Sequence, residues 1–381
     1  MKRTALIIAT ILTAGTLAFA QTDLSYKYWN DGQLTQNDFQ RRTSDGEIIG
    51  QVFTGIETQS GDWEKVKWNF RVKRLQSKTT FDPLRSWITK DDSLSDKARR
   101  YAQLQFDASE VTRRQMMNYL YEGTYKPDYY HVIQRFYDLH QAQISEIERI
   151  TDKGKNAVAL TQQEQIVADQ LAGLTDAPTG IPEYTLRKFS IGMYIGASSQ
   201  FHPGDYSQYF SPAYGFLWGF DIGLGKSEIY WDIILGGGSR LKQNIPGDEI
   251  NTWNGGNRLR YGESTFQYAY NIYDGETFKI SPFAGFGIGF MDYDSPDSNA
   301  EIKTDEIAGL RLAAGLCIDL KYLNSLYLVS DMVWSSIYGG LNENSIKLKV
   351  YVARTTYENG MNPYSLNCSL SISLMSKYMK P

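Results

Sequence analysis

The chain has only three histidines and two cysteines in 381 residues. So few thiols exclude a disulfide scaffold and a multi-cysteine zinc module. So few imidazoles leave little from which to build a histidine-rich metal centre. Long apolar runs are also missing. Beyond the first twenty residues nothing approaches eighteen continuous apolar positions, which excludes a further helical membrane span. It does not exclude a spanning β-strand, which needs about ten residues with only alternate positions apolar. Charge of one sign is not in excess either. Lys and Arg number 39 against 43 Asp and Glu, a net charge of −4. No basic footprint for nucleic acid is present, and none is expected as a partner.

What is there begins with an export signal. Lys2 and Arg3 precede an apolar stretch from Ala5 to Leu17, which ends in the small-x-small tripeptide Ala18-Phe19-Ala20. Cleavage of residues 1–20 would leave a mature chain starting at Gln21, with no cysteine there to accept a lipid. The length predicts two domains. Residues 21–174 read as an α+β domain. Glu47 to Ile56 and Val66 to Leu75 alternate like strands, with Gly61-Asp62 between them as a turn. Ser95 to Tyr121 reads as a helix with Tyr101, Leu104, Ala108 and Val111 on one stripe. A second helix runs from about Pro127 to Ile150, and Thr161 with Glu164 reads as a capping box opening a third. Residues 175–187, with two prolines and a glycine, read as a linker.

From residue 188 to 378 the period is two. Phe189, Ile191, Met193 and Ile195 share a face in the first segment, and Tyr214, Phe216, Trp218 and Phe220 in the second. Ile229, Trp231 and Leu235 follow in the third, Phe266, Tyr268 and Tyr270 in the fourth, and Phe278, Phe286 and Ile288 in the fifth. The sixth has Leu310, Leu312 and Leu316, the seventh Leu326, Leu328, Met332 and Trp334, and the eighth Tyr364, Leu366, Leu370 and Ile372. The opposite positions are Gly, Ser and scattered charges. Gly225-Lys226, Asp274-Gly275 and Tyr322 to Asn324 read as tight turns. The stretches 202–212, 241–259, 292–305 and 339–363 read as long loops. Ile346 to Thr356 also alternates and is assigned to a β-extension of the last loop. Short and long connections then alternate strictly, as in an outer-membrane barrel with turns in the periplasm and loops outside. The expected fold is an α+β N-terminal domain followed by an all-β, eight-stranded antiparallel transmembrane barrel. Strand parity puts the N-terminal domain and the C-terminus in the periplasm of a Gram-negative envelope.

An eight-stranded barrel is just wide enough to be filled by its own side chains. The inward charges are Asp221, Glu228, Asp232, Glu263, Lys279, Arg311, Asp319 and Asp331. Buried charges must pair or be hydrated, so an ion-paired plug is expected. His202, in the first outer loop, reads as a solvated residue. His131 and His140 are nine apart on a helix, on opposite sides, and read as helix-surface histidines. Cys317 points inward and Cys368 outward on non-adjacent strands, which speaks against a disulfide between them, and both are expected as free packing residues.

A resemblance lies in the N-terminal half. Leu34-Thr35-Gln36-Asn37-Asp38-Phe39 resembles the Leu-Thr-Trp-x-Asp-Phe opening of a family of secreted zincin-like metalloproteases. Ser86-Trp87-Ile88 stands where that family has Ser-Trp-Val. Its next helix carries His-Glu-Gln-x-His-Phe-Asp; here the helix reads Tyr101-Ala102-Gln103-Leu104-Gln105-Phe106-Asp107. The motif works because two His at i and i+4 grip zinc while the Glu polarises water. Tyr101 and Gln105 stand at the ligand positions and Ala102 at the base, so the resemblance implies a degenerate, zincin-like pseudoenzyme. No catalytic residue, metal or cofactor is expected. The expected partners are outer-membrane lipid and a periplasmic protein. The function expected is a non-enzymatic outer-membrane barrel with a periplasmic interaction domain, serving envelope structure or assembly. The alternatives are a secreted or membrane-anchored zinc metallopeptidase relative and a narrow channel.

Overall fold

The computed structural model describes residues 26–43, 48–124, 129–176, 181–244, 255–293, 307–329, 339–358 and 360–380. The export signal, Pro127 and the middle of the linker lie outside them. Two compact units result, residues up to 59 with 76–182, and residues 60–75 with 183 onward.

The first unit holds β1 (Lys27–Tyr28), β2 (Gln40–Arg42), β3 (Gly50–Gln51), the outer parts of a hairpin formed by β4 (Thr54–Lys67) and β5 (Phe70–Phe81), then β6 (Trp87–Thr89). Three helices follow, α1 (Asp92–Tyr121), α2 (Tyr129–Ile150) and α3 (Ala157–Gly173). β6 pairs with β2 in parallel and with β3 antiparallel. The Asp91 carboxylate accepts from the Ser93 amide at 2.9 Å and caps α1. Two apolar stripes run along that helix, because it is covered on two sides. Ala98, Ala102 and Phe106 pack with Leu34, Phe39, Ile49, Phe81 and Ile88. Tyr101, Leu104, Ala108 and Val111 pack with Ile147 of α2 and Leu160 and Val167 of α3.

Three local expectations are corrected here. The hairpin turn is Trp68-Asn69, and Gly61-Asp62 lies within β4. Gly-Asp is turn-competent, but the strand pattern runs through it and the turn chemistry of Asn69 prevails. The third helix starts four residues before Thr161. Asn156 caps it, accepting from the Ala159 amide at 3.1 Å, while Glu164 is taken by Arg100 at 2.5 Å. His140 is buried rather than on the surface, because the Phe136–His140–Ile147 face of α2 lies inward. His131 is exposed.

The second unit is a closed barrel. Its eight strands are β7 (Leu186–Phe201), β8 (Ala213–Leu224), β9 (Ser227–Arg240), β10 (Arg258–Tyr270), β12 (Phe278–Tyr293), β13 (Ile307–Tyr327), β14 (Gly340–Tyr357) and β15 (Tyr364–Met379), with a two-residue β11 (Tyr273–Asp274) in one turn. Every neighbour is antiparallel and the last pairs with the first, Ile372 opposite Ile195. Alternation sends one row of each strand outward. Ile195, Trp218, Ile229, Tyr268, Phe286, Leu312, Val352 and Ile372 are all large, apolar and exposed. Gly225 makes the β8–β9 turn with φ +66, a conformation that favours glycine.

The seventh strand is not where the sequence pattern put it. Leu326 and Leu328 are fully buried at the end of β13 and beyond it, and Asp331, Met332, Trp334 and Ser335 lie outside the described residues. Ile346 to Thr356 is the core of β14, the true seventh strand. Tyr322 to Asn324 is a bulge inside β13, not a turn. The strand count stays at eight, but the strict alternation of short and long connections does not hold. The β13–β14 connection spans 328–339, and the outer connection 358–363 is short.

Candidate functional site

The second unit has two surfaces of opposite chemistry, the apolar outside described above and a charged inside. Strand alternation builds both at once. Inside, Asp221, Glu228, Asp232, Glu263, Lys279, Arg311 and Asp319 are all buried. Each of these inward positions from the sequence pattern takes part in a buried ion pair. Asp331 falls outside the described residues.

The pairing needs cations that the pattern did not supply. They come from β14. Lys349 meets Asp232 at 2.8 Å, and Lys347 meets Asp221 at 3.2 Å and Asp319 at 3.4 Å. Lys279 bridges Glu228 at 2.7 Å and Asp319 at 3.1 Å. Nearer the loop end, Arg311 pairs with Glu263 at 2.6 Å and donates to Thr355 and Asn367, both at 3.1 Å. Rings close over the ammonium groups. The Tyr230 centroid lies 4.2 Å from Lys349 Nζ and 4.5 Å from Lys347 Nζ, and the Tyr194 hydroxyl donates to Asp232. Room for the Tyr194 ring comes from Gly219, where a Cβ would fall on it.

The ends of the lumen differ. At the short-turn end Lys321 and Lys377 each reach Glu343 at 2.9 Å. A cavity of ≈ 10 Å³ lined by Lys279, Asp319, Lys321, Glu343, Ser345, Ser373 and Met375 has room for about one water. At the loop end the interior turns apolar. Leu217, Ile234, Leu259, Tyr261 and Met291 pack with Phe210 and Leu241 from the loops. His202 is half-buried rather than fully solvated. Its ring lies tilted against Phe210, centroids 4.9 Å apart, and it bonds the Tyr364 carbonyl at 3.2 Å. Loss of water pushes its pKa down to about 4. Cys317 is buried and Cys368 half-buried, and both are free thiols.

In the first unit the three positions singled out by the zincin-like resemblance are core. Tyr101, Ala102 and Gln105 are buried. Burial beside Glu148 holds the Tyr101 phenol well above its ordinary pKa. Ala102 packs in the other cluster, so the three positions do not converge on an open site. The polar heart of this unit lies elsewhere. Glu110 is gripped by Arg113 at 2.6 Å, Arg114 at 2.8 Å and Thr79 at 2.7 Å. Burial raises the Glu110 pKa, but the two guanidiniums outweigh it and hold the group below its ordinary value. His140 Nε2 lies 2.8 Å from Ser109 Oγ, which also lies 2.8 Å from the Gln105 carbonyl and 2.9 Å from Thr54 Oγ1, with one hydroxyl proton to donate among them. Among the described residues no group of three His, Cys, Asp or Glu side chains is placed to share a metal ion.

Outer-membrane proteins are among the solved structures this chain is similar to. Neisserial surface protein A is 8% identical, over 50% of this chain and 97% of that one, with a TM-score of 0.30. Ail, the attachment invasion locus protein of Yersinia pestis, is 11% identical over 50% of this chain and 99% of its own, with a TM-score of 0.27. The outer membrane protein OprG from Pseudomonas aeruginosa is 11% identical over 51% and 98%, with a TM-score of 0.23. Scores this low leave the case to the chain's own geometry. No family model and no curated protein matches the sequence, and the zincin-like resemblance gains no support.

Proposed function

We propose that the protein is a non-enzymatic outer-membrane β-barrel that anchors a periplasmic interaction domain, with a role in envelope structure or assembly. One observation carries this reading: the large apolar rows face outward while the ion pairs are buried inside. A water-soluble barrel needs the reverse, because each exposed Leu, Ile or Phe side chain forgoes about 1.5–3 kcal/mol of burial. In lipid the same rows are satisfied, and every backbone group is paired within the closed sheet.

The tight β8–β9 turn and the β10–β12 turn fall at one end, together with the start of β7 and the end of β15. The ends of β7, β9 and β12 and the starts of β8, β10 and β13 fall at the other. This supports a periplasmic short-turn end, from which the N-terminal unit enters. A channel is disfavoured by the filled lumen and its apolar loop end. A peptidase is disfavoured by the buried Tyr101, Ala102 and Gln105.

Cell fractionation tests the membrane assignment. The protein should partition with outer membranes, resist carbonate extraction, and run at a different gel mobility unless boiled. Recovery in the soluble fraction with unchanged mobility would overturn it. For the interaction role, periplasmic proteins should co-purify with the full-length chain and be lost on Glu110→Leu substitution, which breaks the first unit's polar heart while sparing the barrel.

A further inference from the structure

The tip of the β4–β5 hairpin, residues 60–75, belongs to the barrel unit. It adds to the end of β13 in parallel, Phe70 to Lys73 opposite Asn324 to Tyr327. The Asn324 amide donates to the Asn69 carbonyl at 2.6 Å. Barrel register shows which way each face of the tip looks. Asn324 lies opposite Glu343, which is buried inside. Asn324 and Phe70 therefore share the inward side, and Ser325 with Arg71 and Tyr327 with Lys73 share the outward side.

Side-chain contacts agree. Arg71 Nε donates to Ser325 Oγ at 2.8 Å, and its guanidinium sits 4.4 Å over the Trp63 ring, with Lys73 Nζ at 5.9 Å. Trp63 thus faces outward. Glu64 takes the other face, where it pairs with Arg74 at 3.3 Å. The tip is rich in positive charge, with Arg71 and Lys73 on the outward face around Trp63 and Lys65 and Lys67 exposed beside the turn. Trp68 stands in the turn itself, 66% exposed. Lys67 reaches Glu276 at 3.0 Å, an exposed pair of the weak kind.

The tip also lies at a telling depth. Leu320 is the last exposed aliphatic residue on β13, followed by exposed Tyr322. Asn69 is level with Asn324. Four residues at ~3.3 Å each along a tilted strand put the tip roughly 10 Å past the apolar belt. That is the depth of the headgroup layer, where Trp and Tyr collect.

We propose that this tip is a second lipid contact, with Trp68 in the headgroup layer and Lys65, Lys67 and Arg71 on the phosphates of anionic phospholipid around the short-turn end. The inference rests on the membrane-barrel reading, and the test separates the two. The full-length protein is folded into phosphatidylcholine vesicles with and without phosphatidylglycerol. Tryptophan quenching is then read with lipids brominated near the headgroup and with aqueous iodide, and Trp68→Phe gives the Trp68 share by difference. Trp68 should be quenched several-fold more by bromolipid when phosphatidylglycerol is present. The gain should vanish in Lys65→Glu with Lys67→Glu. If Trp218 and Trp231 respond to bromolipid while Trp68 responds only to iodide, the tip does not touch lipid and the proposal falls. Trp68 shielded from both quenchers would mean that a protein surface covers it, which also overturns the proposal. No response from Trp218 and Trp231 would sink the barrel reading itself.

Discussion

Lys349 and Asp232 meet at 2.8 Å, each almost fully buried. Removing one partner strands the other charge in a low-dielectric site, whereas removing both does not. Lys349→Met should therefore cost about 3–5 kcal/mol. Adding Asp232→Asn should recover most of it, as read by urea unfolding of the protein in lipid vesicles. No recovery would show that Lys349 acts by packing under Tyr230 rather than by charge. His140 gives a second residue-scale test. Burial pulls its pKa below the ordinary 6.5, so the unfolded chain binds the proton more readily than the fold does. The stability from keeping His140 neutral is complete above the unfolded value and is lost as pH falls through it towards the folded one. Helix unfolding followed by circular dichroism should show a stability decline below pH about 6.5, at most about 1.4 kcal/mol per pH unit for one proton. His140→Gln should flatten that decline, and an unchanged profile would exclude the residue as its source.

Strands were readable where an apolar face is exposed around the barrel and a polar one lines the lumen, because that division imposes a strict period of two. Segments such as Phe189 to Ile195 and Tyr364 to Ile372 are visible for that reason. Pattern reading failed at Leu326 to Val329. Those residues are apolar because the hairpin tip and the sheet extension cover them, not because they form a further strand of the barrel wall. Taking them as a strand pushed Ile346 to Thr356 into a loop and hid Lys347 and Lys349 with it. A signal for both lysines was present in the sequence. The inward set as first drawn held many more carboxylates than cations, and the two lysines alternate with Ile346, Leu348 and Val350. The Val72–Leu326 joint can be tested as an element. Both side chains are fully buried. Leu326→Asp should free residues 60–75 for protease cleavage while the heat-modifiable mobility of the barrel persists. Protection equal to wild type would mean that backbone pairing alone holds the tip.

The whole molecule is sealed by two unlike materials, ion pairs towards the short turns and apolar side chains towards the loops. Purified protein in planar bilayers should accordingly give no steady single-channel conductance. A stable conducting level would show that the seal opens and would restore the channel reading. At this scale the α+β character of the first half was legible from its helical stripes. Its arrangement was not, because α1 is covered on two sides and its two stripes report contacts with segments far apart in sequence.

The parallel pairing of β5 with β13 also sets an order of events. Arg71 and its partner Ser325 are 254 positions apart. As the chain emerges from its N-terminus, the edge formed by Phe70 to Lys73 is among the first β-structure made and among the last to find its neighbour. Until the barrel closes, that edge is a ready template for a second copy. Slow insertion would lengthen this exposure, so aggregation during biogenesis should track the rate of barrel closure rather than the stability of the finished protein.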